Sequence, residues 1–254
     1  MKFSPIDYFL FIMSILFLKN KSKPKDPYEE IFYEYKTRFI PLLDHSHEDK
    51  AATINYLKSD EFLKVPIFII TSQRAVEMFR ECIEEIENKE EILNKIGYTV
   101  GPATFKILSD VGFKNVKGGG NAGNGAKLSE IIIDEVDKSL PIVFLTGEIR
   151  KDIIPRKLKE EGYNLTEFVI YKTFERELGK IEFNKDDWIV FFSPQGTKEI
   201  VKYLKHDNQN WKIASIGPTT EEYLIENNLP PKIVSQKPSP SSLYESISKS
   251  DNER

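Results

Sequence analysis

The sequence predicts an α/β protein of two similar lobes, each built on a parallel sheet, and three observations lead there. Short apolar, β-branched runs alternate with helix-start signals over almost the whole chain, the pattern of parallel sheets covered on both faces. Segments of the first half recur in the same order in the second. The chain has 254 residues, 40% hydrophobic and 30% charged, which excludes a disordered chain, poorer in apolar residues, and a fibrous one with its short repeat. That length buries enough surface for one large domain or two small ones.

Each element has its own signal. Ser14–Leu18 (SILFL) reads as the first strand and runs into a lysine-rich loop. Asp26 and Pro27 mark an N-cap and a first helical position, and the spacing predicts a helix to about Lys36. Phe39–Leu43 reads as the next strand. Val65–Ile70 is a strand followed by Thr71-Ser72 and a helix from Arg74 to about Glu87. Tyr98–Val100 leads to Gly101-Pro102 and a helix ending near Gly112. Ile142–Leu145 precedes a turn and a helix around Pro155–Glu161, stopped by Gly162. Glu167–Tyr171 is a strand. Trp188–Phe192 leads to Ser193-Pro194 and a helix, Lys212–Ile216 to Gly217-Pro218 and a helix, and Lys232–Ser235 to Ser239-Pro240 and the last helix.

The repeat sits on this frame. IITSQRAVEMF (Ile69–Phe79) echoes FFSPQGTKEIV (Phe191–Val201), VGPATFKILSDVGF (Val100–Phe113) echoes IGPTTEEYLIENNL (Ile216–Leu229), and GNGAKLSEII (Gly123–Ile132) echoes KPSPSSLYESI (Lys237–Ile247). The spacing agrees, with 27 residues from Gly101 to Leu128 and 26 from Gly217 to Leu243.

Lys and Arg number 36 against 40 Asp and Glu, for a net charge of −4. A mildly acidic chain has no general attraction to nucleic acid or an anionic membrane, so any anion must be held by local geometry. Cys82 is the one cysteine and there are three histidines, His45, His47 and His206. No disulfide framework, thiolate cluster or zinc site is expected from these. The apolar run Tyr8–Leu18 is too short to span a bilayer. It lacks the basic region and cleavage site of a signal peptide, and reads as a buried strand with a short leader, or as a strand of a chain starting at Met13.

The motifs TSQRAV, VGPAT, GNGAKL, TGEIRKDIIPRKL, VIYKT, FFSPQG, IGPTT and KPSPSSL, in this order and spacing over about Ile15–Ile247, resemble the uroporphyrinogen-III synthase family, and the opening LFLKNKSKP and DPYEE resemble its fungal and animal branch. The resemblance implies two α/β lobes joined by two extended linkers, near Leu42–His47 and Phe168–Thr173, with a cleft between the lobes. The first, discontinuous lobe would comprise residues 1–44 and 172–254, and the inserted lobe residues 45–171. It further implies cyclisation of hydroxymethylbilane, a linear tetrapyrrole with eight carboxylates, with loss of water and inversion of ring D through a spiro intermediate. Holding the geometry that favours spiro attack would be the main task. No metal or organic cofactor is implied, and the chain lacks a Gly-x-Gly-x-x-Gly turn. A cytoplasmic monomer acting on this small molecule, without nucleic acid or membrane, is expected.

An octa-anion bound by a chain of negative net charge calls for helix N-termini at the carboxyl ends of strands. Ser72, Thr104, Ser193, Thr219 and Thr220 are the hydroxyls expected there. Each is also readable as an N-cap serving only its own helix. Gly101 and Gly217, from the same turns, and Gly147, from the turn before Arg150 and Lys151, join the expected binding set. The family's glycine-asparagine turn implies a helix beginning at Asn124 and Gly125, with Asn124 in the set. Tyr171 matches the family's linker tyrosine and is the catalytic candidate, because a phenol stays protonated at neutral pH and can donate to a leaving hydroxyl.

Arg74 and Lys151 are the cations expected to meet carboxylates, with Arg150 and the run Lys19, Lys21, Lys23 and Lys25 as further possibilities or plain surface charge. The Gly118–Gly120 run reads as a mobile lip or a surface insertion. His45 and His47 read as solvated, Cys82 as core, and the acidic stretch Glu81–Glu91 as a solvated face. The competing class is a non-catalytic bilobal binder of an anionic ligand.

Overall fold

The computed structural model describes residues 13–22, 25–179, 181–184, 186–206 and 211–252. Lys23 and residues 8–12 of the apolar N-terminal run lie outside these. The chain divides into two compact units, one of residues up to Asp44 and from Phe174 onward, the other His45–Thr173.

The discontinuous unit contains β1 (Ser14–Leu18), α1 (Pro27–Ile31), β2 (Lys36–Phe39), β9 (Trp188–Phe191), α9 (Lys198–His206), β10 (Lys212–Ser215), α10 (Pro218–Glu226), β11 (Ile233–Val234) and α11 (Pro240–Asn252). The inserted unit contains α2 (Lys50–Leu57), α3 (Asp60–Leu63), β4 (Ile67–Ile70), α4 (Gln73–Glu84), α5 (Glu90–Leu93), β5 (Ile96–Val100), α6 (Pro102–Val111), β6 (Asn115–Gly119), α7 (Gly125–Glu135), β7 (Ile142–Gly147) and α8 (Ile153–Glu160). The segments expected as extended linkers are strands, β3 (Leu43–His47) and β8 (Leu165–Glu175), and both unit boundaries fall inside them. Their backbones bond at Glu48 N–H to Ile170 O (3.2 Å) and Arg176 N–H to Leu42 O (2.9 Å).

Strand order is β11-β10-β9-β1-β2 in one sheet and β3-β8-β7-β4-β5-β6 in the other. Read outward from β9, the first is a 3-2-1-4-5 sheet; read outward from β4, five strands of the second have the same order. The repeat is thus a circular permutation, with β9, β10 and β11 answering to β4, β5 and β6, and β1 and β2 to β7 and β8. The paired strands run parallel in β1–β2, β1–β9, β9–β10 and β10–β11, and likewise in β4–β5, β4–β7, β5–β6 and β7–β8.

Alternating strand residues feed two apolar layers in each unit. Leu16, Ile189, Phe191 and Ile213 face α9 and α10, while Phe17, Trp188, Val190 and Ala214 face α1 and α11. Phe68, Ile70, Val143 and Leu145 pack with residues of α4 and α6, and Ile67, Ile69, Ile142 and Phe144 with α7 and α8. Each fully buried side chain of this size contributes about 1.5–3 kcal/mol.

Several boundaries depart from expectation. The first helix stops at Ile31 rather than Lys36, because Phe32 turns inward against Phe17 and Tyr244. The strand expected at Phe39–Leu43 splits into β2 and β3 around Pro41, which has no N–H for a ladder. The helix after Ser193-Pro194 starts only at Lys198: Gly196 takes a left-handed turn (φ 75°), and Thr197 Oγ1 bonds back to Pro194 O at 2.6 Å. The Gly118–Gly120 run straddles a strand end, with Gly120 in the exposed turn beyond it. Gly118 and Gly119 end edge strand β6 with φ of 83° and 60°, and a Cβ on Gly118 would lie 2.3 Å from Thr99 O. Helices α2, α3 and α5 were not expected.

Candidate active site

In a 3-2-1-4-5 sheet the strand order reverses between the first and fourth strands, and ligands bind at the carboxyl ends there. In the inserted unit those strands are β4 and β7. After β4, Ser72 is extended and caps α4, its Oγ accepting the Ala75 N–H at 3.0 Å. After β7 comes Gly147. The β7–β8 register is regular from Ile142–Leu165 to Thr146–Val169, then shifts so that Gly147 faces Tyr171. Ile170 is thus an extra residue on β8, a bulge of the kind that re-aims side chains. The re-aimed Tyr171 is 9% exposed. Its hydroxyl lies 3.2 Å from Ser72 Oγ, its ring meets the His45 ring edge-on at 5.8 Å, and His45 Nδ1 is 3.0 Å from Thr173 Oγ1.

A cavity of about 390 Å³ opens beside this pair. Ser72, Asn124, Gly147, Lys151 and Tyr171 all line it, so five expected residues meet at one place. Its walls combine apolar side chains (Val100, Leu145, Ile153 and Ile154) with further polar ones (Thr71, Thr146 and Arg150), so polar groups converge in a concave site, as they do where ligands bind. Asn124 caps α7 through the Lys127 N–H at 2.9 Å. Lys151 is exposed and takes part in no ion pair among the described residues. Arg150 is different, because its Nε (2.8 Å) and Nη2 both donate to Glu167, which also takes Lys159 at 2.8 Å. Burial alone would raise the Glu167 carboxyl, but hydrogen bonds from Lys159 and Arg150 outweigh it and hold it below its ordinary range.

Gly101 and Thr104 follow the neighbouring strand β5 and do not line the cavity. Gly101 (φ 76°) is the N-cap of α6, and Thr104, in the first turn, is buried without capping it. Arg74 lies in the first turn of α4, its guanidinium on Glu77 at 2.7 Å.

In the discontinuous unit the reversal falls between β9 and β1. Ser193 follows β9 in an irregular turn and is not a helix start; Gly217, extended, caps α10 after β10. Pro218 is the first helical residue; Thr219 is exposed and Thr220 buried, and neither caps the helix. Lys19, after β1, is spoken for. Its Nζ is 2.5 Å from the buried Asp26 carboxylate and lies over the rings of Tyr28 (4.9 Å), Phe39 and Phe192 (both 5.6 Å). Burial raises the Asp26 carboxyl, but Lys19 and the N–H groups of Ser22 and Tyr28 lower it further, so it sits below its usual range. Lys21 and Lys25 pair with Glu29 and Glu30. The basic loop thus folds onto α1, a pairing that no spacing rule in the sequence announces.

His47 Nε2 is 2.8 Å from Glu81 Oε2, and its Nδ1 is 3.8 Å from the Cys82 sulfur. Cys82 is fully buried, and burial pushes its thiol up to about 11. Neither histidine lines the cavity. Among the described residues, no three His, Cys, Asp or Glu are grouped to hold a metal.

A family model described as uroporphyrinogen-III synthase HemD matches residues 33–245. The uroporphyrinogen-III synthase of Saccharomyces cerevisiae is 42% identical over 268 aligned residues, covering 92% of this chain and 94% of that protein. That of Schizosaccharomyces pombe is 34% identical, with 94% and 97% covered. The crystal structure of the Helicobacter pylori uroporphyrinogen-III synthetase superposes with a TM-score of 0.66 at 20% identity, over 95% of this chain and all of that one, and supports the two-lobed α/β fold. With a family model over most of its length and two relatives above 30% identity, the chain belongs to the uroporphyrinogen-III synthase family.

Proposed function

We propose that this protein cyclises hydroxymethylbilane to uroporphyrinogen III, with Tyr171 as the proton donor. Family membership supports the activity. The single observation that carries the residue assignment is the Tyr171–Ser72 hydroxyl pair at 3.2 Å, lining a cavity at the strand-order reversal. Relatives named as synthases favour this over a non-catalytic binder.

The pyrrole nitrogen's electron pair pushes out the hydroxyl of the hydroxymethyl carbon. A phenol hydroxyl donating to that oxygen lets it leave as water, and the phenolate regains a proton as the product rearomatises. The azafulvene is attacked by the far ring at its substituted carbon. The spiro intermediate then fragments and recloses with ring D inverted. Since the substrate closes unaided without inversion, the protein supplies mainly orientation.

The eight carboxylates call for donors rather than bulk positive charge. In our reading the inserted unit supplies them from the first turns of α4 and α7, whose free N–H groups attract anions, and from Ser72, Asn124 and Lys151, and the discontinuous unit from Ser193 and from the first turn of α10 with Thr219 and Thr220. No helix of the described residues is long and apolar enough to cross a membrane. A cytoplasmic monomer completes the proposal, and the free thiol of Cys82 is compatible with a reducing compartment. The test is to mix purified protein with freshly made hydroxymethylbilane and separate the isomers. Type III product is expected; the type I isomer alone would overturn the reading.

A further inference from the structure

We propose that Gly147 is a positioning residue for Tyr171, its missing side chain being what lets the phenol lie across the end of β7 and reach Ser72. The inference rests on the assignment of Tyr171 as the proton donor. It departs from the direct binding role that the sequence led us to expect of Gly147.

A Cβ at Gly147 would fall 2.4 Å from Cζ, 2.7 Å from Cε1 and 2.8 Å from the hydroxyl of Tyr171. Carbon atoms in contact prefer about 3.5–4.0 Å, so the ring and a side chain cannot both occupy this place. Backbone conformation is not the reason for glycine here, since Gly147 is absent from the left-handed glycines of the described residues. Space is what the position supplies.

The bulge makes that space matter. In an unbroken ladder Gly147 would face Ile170, and the alternation of β8 would send residue 171 to the opposite face. With Ile170 extra, Tyr171 takes the place opposite Gly147, and the Glu148 N–H fixes its carbonyl at 3.0 Å. The ring is then held by Gly147 beneath, His45 at its side (5.8 Å) and Ser72 at its hydroxyl (3.2 Å).

A double-mutant cycle tests this, using Gly147→Ala, Tyr171→Leu (which ends short of Cζ) and the double variant, read by kcat, KM and melting temperature. A crystal structure of Gly147→Ala completes it. Gly147→Ala is expected to lower kcat by roughly 10–100-fold, as a small misplacement of a reacting group does, with KM little changed and the phenol displaced from Ser72. In the Tyr171→Leu background the same change should cost nothing more. A further equal loss there would mean that Gly147 acts through its own space, and would overturn the proposal. So would an undisplaced ring in Gly147→Ala. Should Tyr171→Leu keep the full rate while the ring is displaced in Gly147→Ala, the positioning stands and the proton-donor assignment falls. If Gly147→Ala does not fold, a folded double variant supports the inference and an unfolded one overturns it.

Discussion

The hydroxyl of Tyr171 and the Oγ of Ser72 are 3.2 Å apart, and that same Oγ accepts the Ala75 N–H at 3.0 Å. One serine atom therefore closes a helix and orients a phenol. Tyr171→Phe removes only the hydroxyl and leaves the ring on Gly147. The expected result is a fall in kcat of roughly 10–100-fold, no larger than the low end of general-acid contributions. The melting temperature should hold. Steady-state kinetics with isomer separation check it, and an unchanged kcat would remove Tyr171 from the proton-donor role.

Ser72 and Thr220 were read alike from sequence, and the structure separates them. Ser72→Ala loses a cap worth about 1 kcal/mol, together with the Tyr171 partner, so both melting temperature and activity should fall. Thr220 lies in the first turn of α10 without capping it. Thr220→Val keeps the shape and should keep the melting temperature, while KM rises by roughly 10–150-fold for the loss of a bond to a carboxylate, about 1.5–3 kcal/mol. An unchanged KM would make Thr220 a packing residue.

The alternation of strands and helices was legible because IFII (β4), IVFLTG (β7) and WIVF (β9) are wholly buried runs, and such runs admit few readings. The repeat was legible from its motifs, but its circular permutation was not, since strand order is set by pairings across the chain. Ser72 was visible as a cap residue before an amphipathic helix, whereas Asn124 was implied by the family's glycine-asparagine turn. The bulge at Ile170 was invisible: it is a relation between two strands, and VIYKT alone has no register. Ser193-Pro194 misled because Ser-Pro is a good helix start, whereas Gly196 and Thr197 delay the helix to Lys198. Tyr171 itself came from family resemblance, not from any local signal.

Glu167 carries a pH signature. Burial raises its carboxyl, hydrogen bonds from Lys159 and Arg150 lower it more, and its folded pKa lies below the ordinary value. A depressed carboxylate contributes stability that is fully present above the unfolded pKa, about 4.3, and is lost as pH falls through the folded value. Glu167→Gln should therefore melt lower than wild type at pH 7, with the gap closing in acid below about pH 4. A gap independent of pH would show that the pair with Arg150 adds no electrostatic stability.

The last prediction concerns the other end of the strands. Asp251, in the final turn of α11, accepts the Trp188 indole N–H at 3.0 Å and the Tyr35 hydroxyl at 3.3 Å, and Lys212 Nζ is 3.8 Å away. The Lys212 and Asp251 side chains are only 5% and 7% exposed. Trp188 and Lys212 open β9 and β10, so the cluster lies at the amino ends, away from Ser193 and Gly217. A buried pair adds little net stability because desolvation offsets attraction, yet removing one partner of such a pair costs about 3–5 kcal/mol. Asp251→Ala should lower the melting temperature by roughly 6–20 °C, at 2–4 °C per kcal/mol for a chain of this size. KM below the transition should be unchanged. Asp251→Asn keeps an acceptor for Trp188 and Tyr35 and should cost less. A melting temperature unmoved in Asp251→Ala would show that water enters the cluster and that α11 is held by Leu243 and Ile247 alone.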